Sequence, residues 1–439
     1  MSLLLVLACT NPPASPADTS PTDTSPETST DTGVVAATIT ALTAVPAEEI
    51  PAVVIASWHT DAEAPGTITF GTGKTTLAEI TATDEGGGSW SAVLVGLPPL
   101  TDGWLTVRHG EVTAETTVTT GEGPDLAEAH TLTGSGSGYV LTSMLRDDGA
   151  SMIPVIFNAD GQPVWWHQWS VLREGYTSRV WLVDGRILYN IYRISTEEEV
   201  DFSGLVSVSF DGSDVQSTPL DNHHHDFWLH DDGTLAWLEY DWREEDGARI
   251  AGDVLMIQEP DGTRYPLWSS LDALTLSPTK ESFKTLANQL EYSAADNAYY
   301  IGLREVNAIV RVNAGTGATD WVLGGELDGF ALEDPFRHQH GIERTEDGLI
   351  VFDNDGGDQS RVQTFSLDGG VATATHTHTA DPPRDTPYFG GIDLLEDGMV
   401  ITWGREGIIE RLDSSGAITQ TIEFGAADLG FVHWEAELY

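Results

Sequence analysis

From residue 36 to about 122 apolar and polar positions alternate over short runs: "TITALTAV", "AVVIASWHT", "GTITFG", "SWSAVLVGL", "GWLTVRHG" and "ETTVTTG". A period of two bounded by turn residues marks half-buried strands, so six or seven short strands are expected here, folded as a β-sandwich. Beyond residue 126 a longer period appears. Sets of strand, tight turn and strand recur every 35–50 residues, over roughly 137–169, 177–218, 224–268, 286–323, 338–378 and 390–423. The turn after the first strand of each set is marked by Gly149, Gly185, Gly233, Asn297, Gly348 or Gly398, and an outer hairpin such as "FNADGQPVWW" or "LDSSGAITQTI" follows. A unit of this length cannot bury its apolar face alone, and stacking such units around an axis makes a β-propeller. Six sets predict six blades over 126–439, with the closing segment "FVHWEAELY" completing the first blade. Amphipathic helical periodicity is absent, so the fold class is all-β.

Composition sharpens this picture. Forty-five glycines, 14 tryptophans and a 40% hydrophobic content suit a turn-rich all-β chain whose 439 residues exceed one small domain. The 69 acidic residues against 20 basic give a formal charge of −49, which repels nucleic acid and anionic membrane, so no nucleic-acid partner is expected and the membrane is reached only through a lipid anchor. An anionic substrate would need a local pocket of positive groups. Cys9 is the single cysteine, so no intramolecular disulfide forms. The run "MSLLLVLAC" (1–9) resembles a bacterial lipoprotein signal ending at a lipidated Cys9, although it lacks a basic start. Residues 10–35, rich in Pro, Ser, Thr and Asp, read as a disordered tether. The expectation is a protein of the cell envelope held by a lipid anchor, exposed to the periplasm or exterior. Within 36–122, "GLPPLTDGWLTV" resembles a fibronectin type III module, and His59 and His109 are expected in exposed loops.

The candidate chemistry lies in the propeller. "HHHDFWLHDDG" and "HQHGIERTEDG" each place a histidine, His225 and His340, eight residues before the turn glycine. The corresponding positions are Thr177 in blade two, Asn288 or Gln289 in blade four and Gly390 in blade six. First strands line a propeller's channel, so the two histidines are expected to meet there, with Arg304 on the next strand of the intervening blade. Two imidazoles and a guanidinium in so acidic a chain point to an anion site. Zinc or copper is the competing reading, but no third ligand has recognisable spacing, and "HHH" at 223–225 alternates faces along a strand. "DNDGGD" at 353–358 lacks the later ligands of a calcium loop and reads as a turn. No metal or cofactor is expected.

The stretches "HHDFWLHDDGTLAWL", "AYYIGLREVNAIVRVNAGTGATDWVLGG", "QHGIERTEDGLIVFDND", "SRVQTFSLDG" and "DLLEDGMVITWGREGIIERLDSSG" resemble, in order and spacing, the bacterial arylsulfate sulfotransferases over about 137–439. The resemblance implies a six-bladed propeller that moves a sulfuryl group from a phenolic sulfate to a phenolic acceptor through a sulfohistidine. It places the nucleophile at His340, with Arg304 and His225, or His224 of the same run, as partners. Tyr388 and Trp403 are candidates to hold the aryl ring, and Asn288 and His338 to assist binding. One departure stands out: Leu286 occupies the position, two before Asn288, where that family carries a histidine, and His338 is the nearest substitute in sequence. Hydrolysis through the same intermediate, and a non-catalytic propeller binding an anionic or aromatic ligand or a protein, are the alternatives.

Overall fold

The structure is a computed structural model that describes residues 37–439 apart from 63, 130, 146–150, 169–174, 195–201, 246, 277–281, 326, 328, 356–358 and 426. Cys9, the tether and the blade-one turn at Gly149 therefore lie outside the described residues. Two four-stranded sheets form the N-terminal unit. One runs Ile39–Pro46, Val54–Thr60, Ser89–Leu94, Thr83–Gly86; the other runs Thr75–Thr81, Gly66–Thr72, Asp102–His109, Val112–Thr119. Their inner faces enclose Val54, Trp58, Ile68, Phe70, Leu105 and Val107. Eight strands are present rather than six or seven, because "TTLAEITATDEG" turns once more than its alternation indicates. His59 is exposed but lies within a strand, and His109 is buried. Its Nε2 accepts from Trp58 Nε1 at 2.8 Å, so it is a satisfied core histidine rather than a loop residue.

The C-terminal unit is a six-bladed propeller whose sheets are antiparallel except at the outer edge of blade five, where Ala331–Leu332 pairs parallel to Val371–Thr379. Blades two to five have the inner strands Val180–Val183, His223–Leu229, Ala287–Ser293 and His340–Arg344, and blade six has Gly391–Leu395. Blade one differs. Its inner strand is His433–Glu435 from the C-terminus, which pairs with Tyr139–Leu145, so the segment expected to open the blade is its second strand. Thr131–Gly134 adds a fifth strand to the outer edge of blade six, and the two chain ends of the propeller thus close the ring from opposite sides. Apolar side chains from the faces of adjacent blades, such as Leu290, Ile301 and Val310 against Leu238 and Leu255, fill the spaces between them.

Inner strands start on one face of the propeller, where the connections between second and third strands also lie. The connection in blade three is extended into a hairpin of two 11-residue strands, Leu235–Glu245 and Ala248–Gln258. The sandwich packs at the other face, where Ile50 and Glu49 lie under the outer turn at Gly212 and Tyr439 reaches Val95. No helix among the described residues is long and apolar enough to cross a membrane.

Candidate functional site

A cavity of about 610 Å³ opens where the inner strands begin, and it is lined by His225, Leu286, Arg304 and His340 at its base. Tyr176, Tyr192, Tyr388, Phe389 and Phe431 supply aromatic walls. The volume falls within the roughly 300–1,000 Å³ of small-molecule sites.

Local backbone geometry turns these side chains inward. His225 (φ 52°), Leu286 (φ 45°) and Phe389 (φ 62°) all take left-handed conformations at the starts of blades three, four and six. That region is rarely populated by residues other than glycine, and such strain collects at binding sites. In blade three it is held by blade two: Ser178 Oγ and Asn190 Nδ2 both donate to the His225 carbonyl, the latter at 2.6 Å. The ladder slips here, from His223 opposite Glu239 to Phe227 opposite Trp237. The alternation of faces expected for the three consecutive histidines consequently fails, and the Nδ1 atoms of His224 and His225 lie 3.0 Å apart. In blade five the bulge falls at Gly341 (φ 46°), where an added Cβ would meet Phe352 Cβ at 2.9 Å, so only glycine lets His340 start its strand in this pose.

His340 is buried and its tautomer is set by one neighbour. Asn354 Nδ2 donates to the carbonyls of Thr386 (2.6 Å) and Phe389 (2.9 Å), which fixes the orientation of the amide. Its Oδ1, 2.7 Å from His340 Nδ1, can then only accept. Nδ1 therefore carries the proton and Nε2 the lone pair. Burial pushes the His340 pKa down to about 4, with Arg304 adding to the effect, so the ring is neutral near pH 7. His225 is lowered well below the ordinary histidine value by burial first, then by His224, His340, His223 and Arg304. Arg304 lines the cavity while its Nη1 pairs with Glu305.

The expected residues separate into those at the cavity and those behind it. His225, Arg304, His340 and Tyr388 line it together, Tyr388 40% exposed at the mouth with the Arg405 guanidinium 4.9 Å from its ring centroid. His224 does not line it: its ring stacks on Tyr240 at 4.1 Å behind His225. Asn288 is fully buried and donates to the Gln339 carbonyl at 2.6 Å, a tie between blades four and five rather than a cavity group. Trp403 belongs to a second strand, is fully buried against Phe352, and donates to Glu410 at 2.9 Å, so it cannot reach an aryl ligand in the cavity. His338 is half-buried beside Arg304, outside the cavity lining, and gives its backbone N–H to Asn307. Leu286 is itself part of the wall, packed on Tyr240 and Phe283, so the departure at this position is presented directly to the cavity.

Asn354 was not among the expected site residues, although "FDN" lies in one of the quoted stretches 14 positions after His340. Of the aromatic walls Tyr388 was expected, whereas Tyr176, Tyr192, Phe389 and Phe431, and Asp253 behind them, had no spacing to betray them. Among the described residues no group of three His, Cys, Asp or Glu side chains is arranged to hold a metal ion.

The arylsulfotransferase (ASST) family model matches residues 130–382, more than half of the chain. The protein belongs to the arylsulfotransferase family. Those residues take in His225, Arg304, His340 and Asn354, so the cavity base falls within the matched region. No curated protein sequence matches the chain. Among solved structures it is similar to the periplasmic gluconolactonase PpgL of Pseudomonas aeruginosa (12% identity, 69% of this chain and 99% of that one, TM-score 0.41). It is also similar to a putative 6-phosphogluconolactonase of Bacteroides fragilis (11%, 85% and 98%, TM-score 0.38) and to AztD of Citrobacter koseri (11%, 91% and 99%, TM-score 0.32). Likenesses at this level carry no weight for function.

Proposed function

We propose that this arylsulfotransferase-family protein transfers a sulfuryl group from a phenolic sulfate ester to a phenolic acceptor, with His340 as the nucleophile. The observation that carries the reading is the Asn354 clamp, which holds the proton of the neutral, buried His340 on Nδ1 and leaves its Nε2 lone pair available beside a guanidinium. Nε2 attacks sulfur, the S–N bond forms and the S–O(aryl) bond breaks, with the electron pair leaving on the phenolic oxygen. The acceptor oxygen then attacks the same sulfur, and the S–N electron pair returns to His340. Sulfuryl transfer, like phosphoryl transfer, asks mainly for positioning and charge stabilisation. Arg304 can fork onto sulfuryl oxygens, and the aromatic walls can hold one aryl ring at a time. Attachment to the envelope through lipidated Cys9 is part of the same proposal, and brings the site to phenolic sulfates outside the cytoplasm.

A binding propeller is the second reading, and Leu286 favours it, because an apolar wall group can neither pair with a sulfuryl oxygen nor move a proton. The test is release of phenol from a chromogenic aryl sulfate by the purified protein, with and without a second phenol, beside His340→Ala. Release stimulated by the acceptor and lost in the variant supports transfer. Unstimulated release identifies hydrolysis, and saturable binding of aryl sulfates without release supports the second reading.

A further inference from the structure

Behind His225 lies a file of groups that the sulfuryl-transfer reading does not use. Asp253, on the long hairpin of blade three, is fully buried. Its carboxylate accepts from Thr285 Oγ1 and from the Ala287 N–H at 2.8 Å, and its own N–H is donated to Ser270 Oγ at 2.8 Å. His224 Nε2, also fully buried, stands 3.3 Å from Asp253 Oδ1, off the axis of a linear hydrogen bond and with no other partner. His224 Nδ1 is 3.0 Å from His225 Nδ1, and His225 lines the cavity.

The order of protons along this file follows from the carboxylate. Two facing Nδ1 atoms require that one donate and the other accept. If His224 donated through Nδ1 while neutral, its Nε2 lone pair would face the Asp253 carboxylate, a repulsive arrangement between two fully buried groups. The favourable order has His224 Nε2–H on Asp253, His225 Nδ1–H on His224 Nδ1, and the His225 Nε2 lone pair toward the cavity. A proton delivered to His225 Nε2 can then push the Nδ1 proton onto His224, so that the positive charge rests on His224 beside Asp253. Arg304, His340 and His223 oppose a cation held on His225, and Tyr192, whose ring is 5.0 Å away, offers no charge to compensate. Tyr240 covers His224 from the other side.

We propose that Asp253 and His224 are positioning residues that form a proton relay with His225, making His225 the general acid for the departing phenol and the general base for the acceptor. The proposal rests on the sulfuryl-transfer reading. The proton balance closes over a cycle: the relay meets the donor in its loaded form, with His224 protonated on both nitrogens beside Asp253 and His225 carrying its proton on Nε2; that proton passes to the leaving aryl oxygen as S–O breaks, which returns the file to the neutral order above, and the acceptor hydroxyl reloads it as its oxygen bonds to sulfur. The consequence for substrate class is that the site handles sulfates of weakly acidic phenols, whose phenolates leave poorly without a proton, and not only activated nitrophenyl esters.

The test combines two readouts on the full chain. Single-turnover phenol release is measured over donors from 4-nitrophenyl sulfate to unsubstituted phenyl sulfate, for the wild type, Asp253→Asn and His224→Phe. The phenylalanine keeps a ring against Tyr240 and so guards against a misfolded Asp253 variant. A lost proton transfer should slow phenyl sulfate by about 100-fold in both variants while 4-nitrophenyl sulfate changes by only about threefold, steepening the leaving-group dependence. Equal loss for all donors, or no loss for any, overturns the relay. Independently of turnover, 15N spectra of histidine-labelled protein at alkaline pH, where the relay is unloaded, should give the Nδ1–H tautomer for His225 and the Nε2–H tautomer for His224. The reverse assignment overturns the proposal, whereas these tautomers in a protein that releases no phenol would retain the relay and overturn sulfuryl transfer.

Discussion

At the scale of single residues the site is built by partners that remove choices. Asn354 can present only its oxygen to His340, because its amide nitrogen is already bound to two carbonyls. Burial keeps the imidazole neutral against that hydrogen bond, and the depressed pKa links activity to stability. The pKa rises from about 4 in the folded protein to about 6.5 when the chain unfolds. Above pH 6.5 neither state binds the proton and the favourable environment is fully present; between 6.5 and 4 the unfolded chain binds the proton first, so stability falls as pH falls. His340 alone accounts for on the order of 3 kcal/mol over that window. Thermal melts of wild type and His340→Gln between pH 7 and pH 4 should therefore converge as the pH falls. The acid limb of the single-turnover rate should lie near pH 4; a limb near 6.5 would mean that burial does not set the protonation of this ring.

At the scale of elements, the six repeats and the shared channel position of His225 and His340 were readable because strand period and turn chemistry are local properties. The packing of Trp403 and Asn288 was not, because it depends on which side of a blade a second strand or a bulge presents. The convergence of His224 on His225 was hidden for the same reason: a strand alternates faces only until a left-handed residue interrupts it, and φ 52° at His225 follows from hydrogen bonds supplied by another blade. Leu286 was legible as a departure, and its cavity position makes the departure testable. Leu286→His would place a third imidazole in the wall at the expense of contacts with Tyr240, Ala251 and Phe283. A large apolar group replaced by a polar one in this setting should lower stability by about 1–3 kcal/mol. If the wall faces the sulfuryl group, the variant should nevertheless release phenol about tenfold faster than the parent, a gain of about 1.4 kcal/mol in the transition state. An unchanged rate in a folded variant would put the sulfuryl group on the His340–Arg304 side, away from this wall.

At the scale of the whole molecule, the C-terminal segment holds three structures together. His433–Glu435 is the inner strand of blade one, Leu438 is buried in the largest apolar cluster, and the Tyr439 hydroxyl accepts from the Val95 N–H of the sandwich while its ring meets Phe70 and Phe210. That cluster contains Ala47, Ile50, Val53 and Val95 from the sandwich together with Val155, Trp165 and Leu429 from the propeller. Shared apolar burial couples the two units, so the intact chain should melt in one transition despite its length. A chain ending at Val432 loses the strand that closes blade one and the clasp on the sandwich in a single cut. Calorimetry should then resolve two transitions, with the propeller melting roughly 10 °C or more below the parent, as the loss of several kcal/mol from a unit of this size requires. The cavity lies between blades that meet through their inner strands, and Gly430 and Phe431 just before the cut belong to its lining. Aryl sulfate binding should therefore weaken in the truncated chain below its lower transition. One transition at the parental temperature with binding intact would show that blade one is complete without its inner strand, and that the ring is closed by Thr131–Gly134 alone.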